Sequence, residues 1–411
     1  MEIEIFSILI WVLSIICLIE ILAYVSISYT NKKFQWLIMQ KDENPKLSKE
    51  GLEKFFEHGY DSELGWIRKP NTTHEEKGKE GITKWTINDY GGRNNLEFEK
   101  INSKISTYGD SFTFCRQVND DGTWQHWISK LQNTNVKNFG VGNYGLDQTL
   151  LRLKREFPNN KTETVIIGVV PDTISRIVSI WKHYYEYGNT FGFKPRFILK
   201  NEILELLKNP IDDKTKFIDY RDYINEIKKN DFFYKKKFLK EKLYFPYSLL
   251  LFKNMKRNFS LIFWIFLTQI YKKIGKDTTK IEWKPMRIIM QINLKWRIEL
   301  YENKKTVDLF RKIIEEFVSY SKRNNFKPMF VFLPQKDDIL FIRKHKHFYE
   351  EFVNDISKIE NLVVVDIAKN LIPEENLDEL YSDQNDYGGH YSELGNKKIA
   401  NLLDQKLRNI V

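Results

Sequence analysis

The sequence predicts an α/β protein built as a three-layer sandwich, with about five parallel strands covered by helices on both faces. Strand-like and helix-like segments alternate with short connections over residues 101–173 and again over residues 305–411. This alternation is typical of βαβ units and a parallel sheet. A long insertion separates the two stretches, and an apolar segment lies near the N-terminus. We therefore expect one α/β domain with a large helical insertion and an N-terminal transmembrane helix.

The individual elements follow from hydrophobic periodicity and from turn residues between them. The predicted strands are 104–106 leading into a Gly-Asp-Ser turn, 136–139, 164–170, 328–333 and 362–367, and the predicted helices are 123–131, 148–155, 307–323, 348–359 and 397–407. Five such strands fit a flavodoxin-like sheet, whose functional residues gather beyond the carboxyl ends of the strands. Ser111 and Asp172 follow two of these ends.

Composition limits the class of protein. At 411 residues the chain can bury a complete α/β core and still carry an insertion. A hydrophobic content of 42% excludes a disordered protein, and 29% charged residues exclude a polytopic membrane protein. The net charge of +10 suits nucleic acid, an anionic membrane or an acidic polysaccharide, but its lysines are spread along the chain. No nucleic-acid-binding motif is present, so we expect no nucleic-acid partner.

Residues 5–27 form an apolar run long enough to cross a bilayer, interrupted chiefly by Glu20. We interpret residues 1–33 as a membrane anchor. A cleaved signal peptide is the alternative, but a positive n-region and a small-residue cleavage site are missing. Lys32 and Lys33 after the run favour a cytoplasmic body under the positive-inside rule, although two lysines are a weak signal. We expect the body on the periplasmic or outer side and leave the sidedness open.

Two further regions flank the α/β core. Residues 34–100 are rich in turn residues and predict a β-containing preamble, with short strands around Trp66 and residues 85–87. Residues 174–304 predict an inserted cap with a hairpin over 193–210 that turns near Asn201. Within the cap, residues 259–271 are apolar and flanked by lysines, which predicts either an interfacial helix or a buried helix.

The Gly-Asp-Ser turn is the first candidate site. Ser111 follows a predicted strand and begins a predicted helix, so backbone N–H groups beside its hydroxyl could stabilise an oxyanion. The second candidate is His390, which precedes the last predicted helix and can approach Ser111 in space. Histidine is the usual base for a serine nucleophile. Cys115 is interpreted as a buried residue beneath the site.

The stretches TYGDSFTFCRQVNDDGTWQHWISKLQNTNVKNFGVGNYGLDQTLLRL and GGHYSELGNKKIANLL together resemble the SGNH/GDSL hydrolase superfamily, in particular membrane-anchored bacterial members that modify polysaccharides. The resemblance covers residues 60–180 and 305–411. It implies that Ser111 is the nucleophile and also a backbone oxyanion donor, with a second backbone donor at Asn143 or the adjacent Gly142. Asn143 is compatible with this role because asparagine tolerates positive φ.

Asn143 stands where the family has a glycine, and two other positions also depart from the family pattern. Pro171 stands where the family has an asparagine that supplies a third oxyanion donor, and Asp172 is expected to pair with Arg176 or to have a structural role. Tyr387 stands where the acid that orients the histidine is usual. Asp386 is therefore the preferred orienting acid, and Asp383 is the reserve candidate.

The resemblance implies an esterase or O-acyltransferase that acts on an acylated envelope carbohydrate or glycolipid, with a membrane acyl-donor protein as a possible partner. A catalytically weak or inactive carbohydrate-binding or assembly protein of the same fold is the alternative. We expect no cofactor and no metal, because the sequence has neither an HExxH motif nor a Cys/His cluster.

Overall fold

In a computed structural model, the structure describes residues 2–37, 43–78, 81–382 and 389–408. The chain begins with α1 (Glu2–Lys33), which is long and apolar enough to span a membrane. From Glu4 to Ile19 every residue of α1 is exposed, and packing against the rest of the chain begins at Glu20.

The preamble contains one helix and two small antiparallel pairs of strands. These elements are α2 (Lys49–His58), β1 (Tyr60–Asp61), β2 (Gly65–Trp66), β3 (Thr72–Gly78) and β4 (Gly81–Ile87). Two of the strands cover the short β segments expected around Trp66 and residues 85–87. Tyr60 and Leu64 enter the main hydrophobic core, so the preamble packs directly on the α/β domain.

The first half of the α/β domain follows the predicted order of elements. It consists of β5 (Ser103–Gly109), α3 (Ser111–Phe114), α4 (Trp124–Gln132), β6 (Asn135–Asn138), α5 (Leu146–Glu156) and β7 (Thr164–Val169). Every residue of β7 is buried, as expected for a central strand of a parallel sheet covered on both faces.

The insertion between the two halves is mostly helical. Its elements are α6 (Thr173–Arg176), α7 (Lys182–Tyr185), β8 (Arg196–Lys200), β9 (Ile203–Leu207), α8 (Ile224–Asn230), α9 (Phe232–Lys236), α10 (Tyr247–Lys253), α11 (Met255–Lys273) and α12 (Lys284–Glu302). β8 and β9 form the predicted hairpin, and Asn201 and Glu202 at its turn both have positive φ. This is the geometry of a two-residue hairpin turn.

The second half completes the sheet. Its elements are α13 (Lys304–Asn324), β10 (Lys327–Phe332), α14 (Lys336–Ile342), α15 (Glu350–Ile356), β11 (Val363–Asp366), α16 (Ala368–Leu371) and α17 (Glu393–Leu407). The sheet is five-stranded and parallel in the order β11-β10-β7-β5-β6. The predicted fold class, with a five-stranded parallel sheet, an N-terminal apolar helix and a helical insertion, is confirmed.

The strand order places one crevice at the carboxyl edge of the sheet. The connection after β5 leads to β6 on one side, and the connection after its neighbour β7 leads to β10 on the opposite side. In open parallel sheets, ligands bind at such a switch point, outside the carboxyl ends of the strands. Ser111 follows β5 and Asp172 follows β7, so both lie at this edge.

The ends of several helices differ from the sequence-based expectation. α17 begins at Glu393 rather than at residue 397, because the Ser392 hydroxyl accepts a hydrogen bond from Gly395 N and caps the helix earlier. α15 is shorter than predicted, and α14 was not predicted at all. Seven residues give little periodicity by which such a helix could be recognised.

Candidate functional site

The turn that carries Ser111 depends on glycine at the end of β5. A Cβ on Gly109 would lie 1.9 Å from the carbonyl oxygen of Gly168 on the neighbouring strand and 2.4 Å from Thr113 Oγ1. No side chain fits in this space, so only glycine allows β5 and β7 to approach this closely. Thr113 Oγ1 donates a hydrogen bond of 2.7 Å to Gly168 O and ties α3 to β7. Ser111 itself is partly exposed at the start of α3.

Asp110 joins the Gly-Asp-Ser turn to the end of the neighbouring strand β7. Its Oδ1 accepts a hydrogen bond from Phe112 N, and its Oδ2 accepts one from Val170 N, both at 2.9 Å. Arg176 Nη1 lies 3.3 Å from Asp110 Oδ2 and donates to Tyr144 O at 3.0 Å. Burial raises the pKa of Asp110, while Arg176 and the two N–H donors favour its ionised form. Asp110 therefore ties the backbone beside Ser111 to the start of α3, to the end of β7 and to Arg176.

Arg93 of the preamble supports the backbone immediately after Ser111. Its guanidinium is fully buried and donates to the carbonyl oxygens of Phe114, Cys115 and Val118, each at 2.6 Å. It also bonds to Asp120 Oδ1 at 2.8 Å. The predicted burial of Cys115 is confirmed, and burial raises the pKa of its thiol to about 12, which leaves the thiol protonated and unreactive.

The loop after β6 passes beside Ser111. A Cβ built on Gly142 would lie 4.0 Å from Ser111 Cβ. Asn143 has a φ of 65°. Asparagine tolerates such a positive φ better than other non-glycine residues do. Trp66 Nε1 donates to Gly142 O at 3.0 Å, which fixes the loop from the preamble. The N–H groups of Gly142 and Asn143 have no protein acceptor within the described residues.

His390 is held beside Ser111 by its own backbone and by ring contacts. Its N–H donates to Gln117 Oε1 at 3.2 Å, and its carbonyl accepts from Ser382 N at 2.8 Å. Its imidazole packs on the ring of Phe112, the residue after the nucleophile, with ring centroids 4.8 Å apart. Tyr391 OH donates to Pro334 O at 3.0 Å and secures the segment to the end of β10.

The imidazole of His390 is neutral in this environment. Burial, followed by the charges of Arg116 and Arg176, lowers the pKa of His390 to about 3. Its Nε2 is buried and has no hydrogen-bond partner among the described residues, so a bond to Ser111 Oγ is not formed here. Hydrogen bonds between catalytic groups are often long without substrate and shorten when substrate binds.

The two candidates for the orienting acid, Asp386 and Asp383, lie outside the described residues. Their assignment therefore stays a prediction from the sequence. Asp172, by contrast, has the pairing role expected of it, because its Oδ2 lies 3.4 Å from Arg176 Nε.

Ser111 and His390 line one cavity of about 440 Å³ at the carboxyl edge of the sheet. This volume is typical of a site for a small organic ligand. Asn143 and Asp172 line it from the sheet side, and the insertion and the segment after α1 supply most of the remaining wall. The wall outside the α/β core is formed by Phe34, Gln35, Tyr185, Glu186, Tyr187, Asn189, Lys237, Glu241, Met286, Ile289, Met290, Ile292, Asn293 and Arg297.

Arg297 is the main residue that sequence analysis missed. It lies on α12 in the insertion, is fully buried, and pairs with Asp172 at 3.3 Å and with Asp338 on α14. Tyr185 OH also donates to Asp172, at 2.7 Å. Arg297 carries no motif, but an arginine within a helix rich in apolar residues was the available signal.

Lys237 is a second cavity residue that no sequence pattern indicated. Its ammonium group is buried, bonds to Tyr185 O and lies 4.6 Å from the ring centroid of Tyr187. Burial, followed by the charge of Arg257, lowers the pKa of Lys237 to about 7. The cavity therefore contains an amine that changes its charge near neutral pH.

Comparison with known proteins gives a faint likeness. No family model matches the chain, and no curated protein matches it. A G-D-S-L family lipolytic protein from Desulfitobacterium hafniense DCB-2 is 15% identical, with a TM-score of 0.32 and coverage of 74% of this chain and 99% of its own. The lipase/acylhydrolase from Enterococcus faecalis is 12% identical, with a TM-score of 0.36 and coverage of 75% and 96%.

A family two carbohydrate esterase from Clostridium thermocellum, in complex with cellohexaose, is 11% identical, with a TM-score of 0.31 and coverage of 75% of this chain and 64% of its own. Identities and scores at this level are too low to transfer a function. The chemistry must be inferred from the residues of the site itself.

Proposed function

We propose that this chain is a serine-dependent esterase or O-acyltransferase that works through an acyl-enzyme on Ser111. The observation that carries the proposal is one cavity lined by Ser111 and His390, with the loop of Gly142 and Asn143 beside Ser111. The N–H groups of Gly142 and Asn143 have no acceptor among the residues that the structure describes. A nucleophile, a neutral base and backbone donors are the parts that acyl transfer requires.

In the proposed reaction, His390 Nε2 takes the proton from Ser111 Oγ as that oxygen attacks the acyl carbonyl. The resulting oxyanion accepts hydrogen bonds from the N–H groups of Ser111 and of Asn143 or Gly142. Collapse breaks the ester bond, and His390 returns the proton to the departing alcohol, which leaves an acyl group on Ser111. Water then releases the acid, or a sugar hydroxyl takes the acyl group, with His390 again accepting and returning the proton.

Arg176 adds electrostatic support to this reaction. It is anchored by Asp110, Asp172 and the carbonyl of Tyr144, next to the donor loop. A fixed positive charge there stabilises the negative charge that develops on the carbonyl oxygen. The same charge contributes to the lowered pKa of His390, which keeps the imidazole neutral at rest and also makes it a weaker base.

The lining of the cavity favours an amphiphilic substrate. Met286, Ile289 and Met290 supply an apolar wall suited to an acyl chain, while Asn143 and Asn293 offer polar groups. The side chains of Tyr185 and Tyr187 also line the cavity, with the ammonium group of Lys237 close to both rings. We therefore propose an acylated envelope carbohydrate or glycolipid as substrate, with α1 anchoring the body on the periplasmic or outer side. A membrane acyl-donor protein is the proposed partner for the transferase reaction.

The first test is labelling with a fluorophosphonate, which reacts with an activated serine. We expect the full-length wild-type protein in detergent to be labelled at Ser111, and Ser111→Ala to remove the adduct. Ser357→Ala is the matched control, because Ser357 bonds to Val353 O and does not line the cavity. Intact-protein mass spectrometry with peptide mapping measures the adduct.

The outcome separates catalysis from mere binding. Absence of a Ser111-dependent adduct, in a protein whose circular dichroism spectrum shows that it is folded, would contradict the enzyme proposal. It would favour the alternative of a carbohydrate-binding protein. Pro171 at the third donor position and the missing Ser111–His390 hydrogen bond would then explain the lack of catalysis.

The pH dependence provides a second prediction. His390 must be neutral to act as a base, and its pKa is lowered from 6.5 to about 3, so acidification should inactivate the enzyme only at unusually low pH. We expect kcat/KM for p-nitrophenyl acetate to change less than about twofold between pH 7.5 and 5.5, where a base of pKa 6.5 loses about tenfold. Stopped-time assays in buffers of constant ionic strength measure the profile.

The matched variant for this prediction is Arg116→Gln. Arg116 lies near His390, lowers its pKa and pairs with Glu76 on the preamble. Its removal should therefore shift the acidic limb of the profile to higher pH. An acidic limb near pH 6.5 in the wild type, unmoved in Arg116→Gln, would contradict the lowered pKa.

A further inference from the structure

The helices α1, α10 and α11 form a small core that is separate from the main hydrophobic core. Glu20, within the apolar part of α1, accepts hydrogen bonds from Tyr247 N at 2.5 Å and from the Ser248 hydroxyl at the start of α10. Tyr29 stacks on Phe266 of α11, with ring centroids 5.0 Å apart. The insertion is therefore fastened to the second half of α1.

α11 has two unlike faces. Asn258, Leu261, Ile265 and Thr268 are buried, and two of them belong to the core shared with α1. The opposite face carries large apolar side chains at spacings of four and seven residues, which keep them on one side of a helix. These residues, with their neighbours on α10 and just before it, are 44% to 68% exposed; they are Phe245, Leu249, Phe252, Met255, Phe259, Phe263, Ile270 and Ile274. We call this set the apolar face.

The apolar face continues the exposed surface of α1. From Glu4 to Ile19, α1 is entirely exposed, and its first buried residue is Glu20, where α10 makes contact. A helix of 32 residues is about 48 Å long, more than the ~30 Å of a hydrocarbon core. A hydrocarbon core of this thickness takes about 20 residues of helix. α10 and α11 contact α1 at Glu20, Tyr24 and Tyr29, toward the C-terminal end of the apolar run, at the level expected for the membrane interface.

The charges around the apolar face match an anionic membrane surface. Lys253 and Lys256 lie where α10 meets α11, and Lys272 and Lys273 lie in the last turn of α11. Their long side chains can extend their ammonium groups to lipid headgroups while the apolar residues enter the acyl region. Exposed patches made of many large apolar residues are uncommon on proteins that remain in water.

We propose that the apolar face is a second membrane-contacting element, embedded in the interface of the bilayer that α1 crosses. Its occupant is lipid with anionic headgroups. This attachment to the membrane does not depend on Ser111 being catalytic.

Membrane contact by the apolar face also affects access to the cavity. Phe34 and Gln35 directly after α1, and Met286 and Ile289 on the helix after α11, line that cavity. The cavity is therefore held at the membrane surface.

The test measures the depth of single labels in the full-length protein. In a Cys17→Ser background, where Cys115 is buried, Phe252→Cys and Phe263→Cys each place one reactive thiol on the apolar face. Ile218→Cys is the matched control, because Ile218 is an exposed apolar residue of the insertion outside this face. Cys17 in the wild type, exposed on α1, is the reference for lipid contact. The proteins carry bimane and are reconstituted in phosphatidylcholine/phosphatidylglycerol vesicles.

We expect lipids with a nitroxide on the acyl chain to quench the labels at 252 and 263 about threefold or more above the label at 218, and iodide to do the reverse. Three results would overturn the proposal. Quenching by iodide equal to that at 218 means that the face lies in water, and protection from both quenchers means that another protein or a second copy covers it. Loss of lipid quenching at Cys17 also overturns it, since both elements need the same bilayer.

Discussion

Ser111→Ala and His390→Ala are each expected to lower kcat/KM for p-nitrophenyl acetate by about a thousandfold to a millionfold, and the double variant to lose no more than either alone. The reason is that the serine oxygen is a weak nucleophile without a base, and the base has no role without the serine. The measurement is a double-mutant cycle on kcat/KM in the full-length protein at pH 7.5.

The cycle also separates a catalytic pair from a structural one. Ser111 is partly exposed and His390 lines the cavity, so both alanine variants should retain the wild-type melting temperature within a few degrees. Additive losses in the double variant would show that the two residues act independently. Ser357→Ala, which leaves the cavity intact, should keep full activity.

Arg297→Ala is expected to lower the free energy of unfolding by about 3 to 5 kcal/mol. Arg297 lies 3.3 Å from Asp172 and 3.7 Å from Asp337, and it also pairs with Asp338. Its removal takes away the positive charge that these buried carboxylates share, although Asp172 keeps its pairing with Arg176. Urea denaturation of the detergent-solubilised protein, followed by tryptophan fluorescence, measures the loss.

Lys295→Ala is the control for this prediction, because Lys295 lies on the same helix with its side chain 78% exposed and should change stability by less than about 0.5 kcal/mol. Burial raises the pKa of Asp338 to about 7, so its protonation at low pH reduces the cost of losing Arg297, and the deficit should be smaller at pH 4 than at pH 8. An equal effect of the two variants would show that the contact between α12 and the sheet edge does not depend on this charge. A lowered stability would also disturb the cavity, since α12 forms much of its wall.

The insertion forms much of the cavity wall, and its residues belong to none of the sequence motifs. Ser111 and His390 are 279 positions apart in the chain, and the Gly-Asp-Ser and Gly-Gly-His segments mark them because each sits at a turn with special backbone requirements. Arg297, Lys237 and Tyr185 come from helices with no such requirement. Their roles depend on which residues meet across the cavity, and a periodic pattern carries no information about that.

The sequence by itself determined the fold class, the order of strands and helices, the hairpin near Asn201 and the two segments that carry Ser111 and His390. These features follow from hydrophobic periodicity, turn residues and backbone geometry, which depend on residues close together in the sequence. It also identified the apolar run of α1, because length and composition alone define it.

Only the tertiary structure decided how these elements combine. It set the strand order β11-β10-β7-β5-β6, placed Ser111 at the switch point, and joined α10 and α11 to α1. It also showed that α11, which contains residues 259–271, buries one face and exposes the other. Contacts between distant segments arise from the burial of apolar surface and the pairing of buried charge across the whole fold, such as Arg297 with Asp172, and these do not depend on sequence neighbours.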